Sequence, residues 1–228
     1  MGIAEKLQTV AENEQKVYDA GVQAEYDKFW DTYQNYGRKT DYTYTTFMYW
    51  SEKIFKPKYD IKPVGTANSL FRNMTGITDL DACLKECGVT LDLSKVTNFN
   101  DAFGQSSIEY IDELNLSSCS NATFLFATSK IKRIEKFITK TDGSINLNYG
   151  FINAWDLEHI IFEGVINNSI DFSSCTKLDY ESLINIISVL KDYSGTGTTP
   201  TLTLGETNLA KLTDEEKAIA TEKGWTLA

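Results

Sequence analysis

The sequence is poor in the residues that most enzymes and nucleic-acid-binding proteins need. It has one histidine, His159, in 228 residues, so metal sites built on paired histidines and histidine proton relays are not expected. It has 22 basic residues against 32 acidic ones, for a net charge of −10. This negative charge repels phosphate backbones, so no nucleic-acid partner is expected. No apolar run approaches the ~18 residues of a membrane span, so no membrane partner is expected either.

The thiols and the first residues together predict a non-secretory protein. The segment that begins Met1-Gly2-Ile3 has neither the apolar core nor the cleavage site of a Sec signal peptide. Four cysteines, Cys83, Cys87, Cys119 and Cys175, are therefore expected as free thiols. Apolar residues make up 42% of the chain and aromatic residues 12%, which is typical of a globular protein.

Three regions differ in composition. Residues 1–37 predict a helix for attachment or oligomerisation, because they lack proline and end at Gly37. Residues 38–64 form a connector rich in aromatic residues and proline, and residues 65–228 form the main domain. An apolar face of the first helix is expected to bury itself on another copy or on the following domain. The predicted oligomerisation contacts are Leu7, Val10, Val17, Phe29 and Trp30.

The main domain repeats a short unit. A phenylalanine, a polar turn and an aliphatic-x-x-aliphatic strand recur, with successive phenylalanines 32, 23 and 25 residues apart. Each unit is too small to bury its own apolar face, so the units are expected to stack their rings and aliphatic side chains into one core. The predicted core consists of Phe71, Phe103, Phe126, Phe151, Ile108, Ile111, Ile131, Ile134, Leu157 and Ile160.

A second element, apolar-x-apolar-Ser-x-Cys/Val, lies between these units. Cys119, Cys175 and Val96 occupy its matched position, which indicates an apolar interior site. Near the end of the chain, Thr213 and Glu216 have the spacing of a capping box that opens a short helix. The fold class expected from these patterns is α+β. It is a leucine-rich-repeat-like solenoid of about four to five irregular repeats, with a long N-terminal helix and a C-terminal helical cap.

The phenylalanine units and the Leu-x-Leu-Ser units, over roughly residues 66–212, resemble BspA-type leucine-rich repeats of gut Firmicutes and their prophages. Residues 11–21 and the segment from Glu25 resemble an N-terminal module that accompanies such repeats in Firmicutes phages. The resemblance implies a solenoid used for binding, on a phage particle or a bacterial surface. It brings no catalytic residues, and it implies a location in the virion or, before assembly, in the bacterial cytoplasm.

A non-enzymatic protein-interaction or adhesion module is therefore the leading hypothesis, with a phage tail protein that presents a receptor-binding surface as its specific form. The expected partners are other protein subunits, a second copy through the N-terminal helix, and a host cell-surface protein or glycan. A structural virion component, a bacterial surface adhesin and a carbohydrate-active enzyme are the alternatives. No metal, cofactor or catalytic residue is expected. The predicted ligand-binding residues are exposed polar positions on the strands: Glu109, Tyr110, Lys132, Arg133, Glu158 and His159.

Overall fold

The computed structural model describes residues 60–228. The chain divides into two compact units, Met1–Thr40 and Asp41–Ala228, and the described residues belong to the second unit. The predicted N-terminal helix and its oligomerisation contacts, Leu7, Val10, Val17, Phe29 and Trp30, lie outside the described residues. Most of the predicted connector lies outside them as well.

Residues 60–228 form a mixed α/β structure with three small parallel sheets. One sheet pairs β1 with β2, the central sheet has the order β3-β4-β5, and the last has the order β6-β7-β8. The strands are β1 (Gly65–Thr66), β2 (Val96–Asn98), β3 (Tyr110–Asn115), β4 (Arg133–Ile138), β5 (His159–Glu163), β6 (Ile170–Asp171), β7 (Thr201–Thr203) and β8 (Thr226–Leu227).

Four helices accompany these strands within the described residues. They are α1 (Leu80–Cys87), α2 (Tyr180–Ser188), α3 (Gly205–Leu209) and α4 (Asp214–Glu222). The predicted capping box is confirmed, because the Thr213 side chain accepts from the Glu216 N–H and the Glu216 carboxylate accepts from the Thr213 N–H. Within residues 60–228, no helix is long and apolar enough to cross a membrane.

Both edges of the central sheet are closed by helices. The carboxylate of Asp81, in α1, accepts a hydrogen bond from the Asp112 N–H of β3 at 2.6 Å. On the other edge, the Asn185 side chain of α2 accepts from the Phe162 N–H at 2.8 Å and donates to the Phe162 carbonyl at 3.2 Å. Side chains of α1 and α2 thus bond to backbone groups at the sheet edges that a further strand would otherwise pair.

The expected leucine-rich-repeat-like solenoid is therefore wrong. The strands belong to three separate sheets, and the central sheet ends after three strands because α1 and α2 take the places at its edges. Local sequence selects the helices: Asp79 and Asp179 act as N-caps for α1 and α2, and Gly88 ends α1 with a φ of 68°. These capping signals place a helix at each edge of the central sheet.

A column of aromatic rings forms the centre of the core. The rings of Phe71 and Phe103 stack with centroids 4.9 Å apart, those of Phe103 and Phe126 at 5.0 Å, and those of Phe126 and Phe151 at 5.8 Å. The aliphatic residues that follow each ring, from Ile108 to Ile160, are also buried. Offset stacking at these distances is favourable beyond the burial of apolar area alone.

Candidate functional site

The six predicted ligand-binding residues come together on the central sheet and at the start of its strands. Tyr110, Arg133 and His159 are register partners across β3, β4 and β5. The three remaining residues immediately precede these strands, and Glu158 is exposed among them. The structure thus places the predicted residues in two adjacent rows.

Three of the charged residues in these rows already take part in ion pairs. Lys132 Nζ lies 2.7 Å from Glu109 Oε2, and this carboxylate raises the pKa of Lys132. Arg133 pairs with the neighbouring Glu135 and lowers the pKa of that carboxyl. Groups held in such pairs have fewer hydrogen bonds left for a ligand than isolated charges would have. The two rows are therefore a poor candidate for a ligand-binding surface.

His159 differs from the expectation of an exposed strand residue. It is 2% exposed, and its Nδ1 lies 2.7 Å from Asp179 Oδ2. Its Nε2 lies 3.7 Å from Glu135 Oε2. Because Asp179 is also the N-cap of α2 and accepts from the Ser182 N–H, the imidazole links β5 to the first turn of that helix. His159 is therefore a buried residue that joins β5 to α2, and its ring is not accessible to a ligand.

The buried thiols also lie away from any reactive environment. Cys119 and Cys175 are 0% exposed, and burial raises the pKa of Cys175 to about 12. Burial also raises the pKa of Cys83, beside Cys87 in α1, to about 11. A high pKa keeps a thiol protonated and disfavours its use as a nucleophile or metal ligand. Residues 60–228 contain no group of three or more His, Cys, Asp or Glu side chains that could hold a metal ion.

The turns that carry the core rings have an unusual and regular backbone. Among residues 60–228, eight residues other than glycine have φ between 54° and 58°. They form two rows, and each member of the second row follows its partner in the first by four residues. The first row is Ser69, Asp101, Phe124 and Tyr149, and the second is Asn73, Gln105, Thr128 and Asn153. Successive turns bond to each other through their backbones, as in the Phe103 N–H to Leu125 carbonyl bond at 2.8 Å. Each row thus brings one side chain per turn to matched places.

The first row changes character along the chain. Its first two members are small or polar, whereas Phe124 and Tyr149 are large aromatic residues that remain 41% and 60% exposed. Their rings stack with centroids 5.1 Å apart and an interplanar angle of 15°. For a bulky residue, the left-handed region is sterically costly, and such strain is concentrated at functional sites.

Two further exposed apolar side chains follow Tyr149 in the chain, Ile152 in the same turn and Trp155 in the next one. Ile152 donates its N–H to the Tyr149 carbonyl and is 37% exposed, and Trp155 is 53% exposed. We call these four residues, Phe124, Tyr149, Ile152 and Trp155, the turn patch. Groups of exposed apolar residues mark interaction sites more often than single ones do.

Sequence reasoning did not identify the turn patch, although a signal for it was present. The alignment of repeat units places Phe124 and Tyr149 opposite Ser69 and Asp101, two residues before each core phenylalanine. A change from polar to aromatic at a repeated position indicates either a new core contact or an exposed contact surface. Only the burial of each ring separates these two possibilities.

Comparison with known proteins adds no relative, since no family model, no curated protein and no solved structure matches the chain.

Proposed function

We propose that this protein is a non-enzymatic binding module and that the turn patch is its contact surface. The observation that carries the proposal is the exposure of two stacked aromatic rings on residues with positive φ. Aromatic residues with few rotatable bonds are the commonest energetic centres of binding surfaces. The predicted strand surface is less suitable, because Glu109, Lys132 and Arg133 are held in ion pairs and His159 is buried.

The fold leaves part of both rings uncovered. A left-handed conformation costs a residue other than glycine about 1–2 kcal/mol, and asparagine tolerates it better than an aromatic residue does. Phe124 and Tyr149 nevertheless stand at this position with 41% and 60% of their surfaces accessible. Contact with a partner would bury the apolar area that the fold leaves exposed.

The location is part of the same proposal. We propose that the module acts on a phage particle, after assembly in the bacterial cytoplasm, with other virion subunits and a host cell surface as its partners. The support is the resemblance of the repeat units and of residues 11–21 to phage-associated proteins. Mass spectrometry of purified particles tests this location, and absence of the protein from particles would overturn it.

The binding test compares two exposed tyrosines in the full-length chain. Tyr149→Asn removes a ring of the turn patch and places a residue suited to positive φ at that position, so folding should be kept. Tyr110→Asn removes an exposed ring of the predicted strand surface, where Tyr110 is 41% exposed. Binding of labelled protein to a panel of intact Firmicutes cells is measured by flow cytometry.

We expect Tyr149→Asn to lower binding at least about tenfold, which corresponds to 1.4 kcal/mol, and Tyr110→Asn to leave it within twofold (about 0.4 kcal/mol). Thermal unfolding followed by circular dichroism serves as the folding control for both variants. Equal binding by both variants, or a larger loss for Tyr110→Asn, would overturn the assignment of the contact surface. A wild-type chain that binds no cell on the panel while entering particles would favour the purely structural role.

A further inference from the structure

A regular ladder of backbone hydrogen bonds joins the four stacked turns. In each junction, N–H groups on alternate residues of one turn donate to carbonyls on alternate residues of the next turn. Between the third and fourth turns the donors are Phe124, Phe126 and Thr128, and the acceptors are Asn148, Gly150 and Ile152, at 2.7–3.1 Å. The same pattern joins the first turn to the second and the second to the third. Three junctions therefore define what a turn pairs with on its donor side: a backbone whose carbonyls recur at every second residue.

The fourth turn lacks such a neighbour among residues 60–228. By the same register its donors are Tyr149, Phe151 and Asn153, and none of these three N–H groups has an acceptor within those residues. We call these three N–H groups the donor edge.

The ladder ends because the chain that follows has no room for another turn. Strand β4 begins at Arg133, 14 residues after Cys119, and the third turn lies between them. At the matched position in the last unit, α2 begins at Tyr180, only five residues after Cys175. The fourth turn is thus the last member of the stack.

The fourth turn also lies at the surface. Tyr149 is 60% exposed and Ile152 is 37% exposed. The Phe124 ring stacks on Tyr149 at 5.1 Å, and within residues 60–228 no other aromatic ring contacts Tyr149. A row of unpaired backbone groups at the surface is a template for pairing with another chain.

We propose that the donor edge binds an extended peptide segment of a partner protein, a proposal that rests on the binding function proposed above and names the class of its partner. Carbonyls on alternate residues of an extended chain face the same side, so one segment can meet all three N–H groups at once. This spacing is a property of polypeptide backbones, and the three internal junctions of the stack already use it. Pairing would also satisfy three donors that the fold leaves without a protein acceptor.

The register of the internal junctions predicts two side chains of the segment. Tyr149 follows the acceptor Asn148 and stacks on Phe124, so an aromatic residue directly after the first acceptor of the segment would cover the exposed ring of Tyr149. The residue two positions further on corresponds to Phe151 in the ring column. Because the Phe172 ring already lies 4.7 Å from the Phe151 ring, the segment needs a small residue at this place.

The first measurement needs no ligand. Amide hydrogen exchange of the full-length chain, followed by NMR, compares the donor edge with the matched donors of the third turn, which are Phe124, Phe126 and Thr128. We expect the amides of the donor edge to exchange at least about tenfold faster, because they have no acceptor. Equal exchange in the two sets would overturn the unpaired edge and the proposal with it.

The second measurement uses synthetic nine-residue peptides selected from a displayed random library on the full-length chain. A bound peptide should slow exchange at the donor edge at least about tenfold. Tyr149→Asn should weaken peptide binding at least about tenfold, and Tyr110→Asn should leave it within about twofold. A library that yields no binder, or a bound peptide that leaves the donor edge unprotected, would overturn the proposal.

Two changes in the selected peptide test the predicted register. Leucine in place of the small residue should weaken binding at least about tenfold, because it meets Phe172. Leucine at the residue before the aromatic one should change binding less than about twofold, since the matched side chain of Asn148 is exposed. Equal effects of the two changes would contradict the register and overturn the proposed mode of binding.

Treated cells separate the peptide partner from the binding function itself. Cells that bind the full-length chain are divided into samples treated with protease, with periodate, which cleaves vicinal diols of sugars, or with buffer. We expect protease to abolish binding and periodate to preserve it. Loss of binding after periodate would overturn the peptide partner while leaving the binding function intact. Unchanged binding of untreated cells by Tyr149→Asn would overturn the proposed contact surface and, with it, this inference.

Discussion

Replacement of Phe103 by alanine should be among the most destabilising single changes in the described residues. The side chain is 0% exposed, and its ring stacks on Phe71 at 4.9 Å and on Phe126 at 5.0 Å, with the edge of Phe99 at 5.7 Å. Removal of a buried phenyl ring costs about 3–5 kcal/mol through lost transfer energy and a residual cavity. Because three aromatic contacts disappear together, we expect the upper half of that range.

Phe124 provides a matched control for this change. It is the same residue type in the following turn, but it is 41% exposed and stacks with one ring, that of Tyr149. Phe124→Ala leaves no buried cavity, so we expect a loss of about 1 kcal/mol or less, set mainly by the lost aromatic pair. The difference between the two variants therefore isolates burial in the column from the chemistry of the ring.

Urea unfolding of the full-length chain, followed by far-ultraviolet circular dichroism, measures both variants. The midpoints give the change in the free energy of unfolding, provided that the m-value is the same as in the wild type. Phe103→Leu is a third variant that keeps most of the apolar volume and should lose less than Phe103→Ala. A loss below about 1 kcal/mol for Phe103→Ala, or one equal to that of Phe124→Ala, would refute the ring column as the centre of the core.

Three further predictions concern buried or half-buried polar side chains. Ser106 and Ser129 are each 2% exposed and have hydroxyls without a hydrogen-bond partner among the described residues, so Ser106→Ala and Ser129→Ala should raise thermal stability; lower melting temperatures would contradict this. Burial raises the pKa of Asp81 above its ordinary value of 3.8, so its charge disfavours the folded state at neutral pH, and this cost disappears as the pH falls below 3.8. Asp81→Asn should therefore stabilise the protein in urea at pH 7 but not at pH 3; an equal effect at both values would argue against the shift. Asn185→Leu should cost about 1–3 kcal/mol in the same assay, because Phe162 loses both edge hydrogen bonds, and a neutral result would show that water replaces them.

The edges of the central sheet show why local signals misled the prediction of fold class. The phenylalanine units recur in the sequence, and recurrence favours one continuous stack. However, the pairing of a strand depends on what lies beside it, and here Asp81 on one edge and Asn185 on the other take the hydrogen bonds of a neighbouring strand. Nothing in the spacing of the repeats indicates that two helices occupy these places.

A turn that recurs after aspartate residues could also be predicted only in part from the sequence. Asp92, Asp142 and Asp192 each accept a hydrogen bond from the N–H of a serine two residues later, at 2.8–2.9 Å. Hydrogen bonds from these serines lower the pKa of all three carboxyls. Aspartate is suited to this turn because its side chain reaches the backbone two residues further on. The Asx-x-Ser spacing is readable from the sequence, but the turn itself depends on the backbone conformation.

Sequence by itself determined the recurrence of the rings, the aliphatic residues that follow them, the capping box at Thr213 and the shortage of catalytic residue types. Tertiary structure decided which of these residues face outward. Phe124 and Phe126 are the same residue type two positions apart, yet one is 41% exposed and the other 0%. Both residues lie in the turn at residues 123–128. The backbone of this turn, with a φ of 56° at Phe124, directs one ring to the surface and the other into the column. No periodicity of residue types encodes that direction.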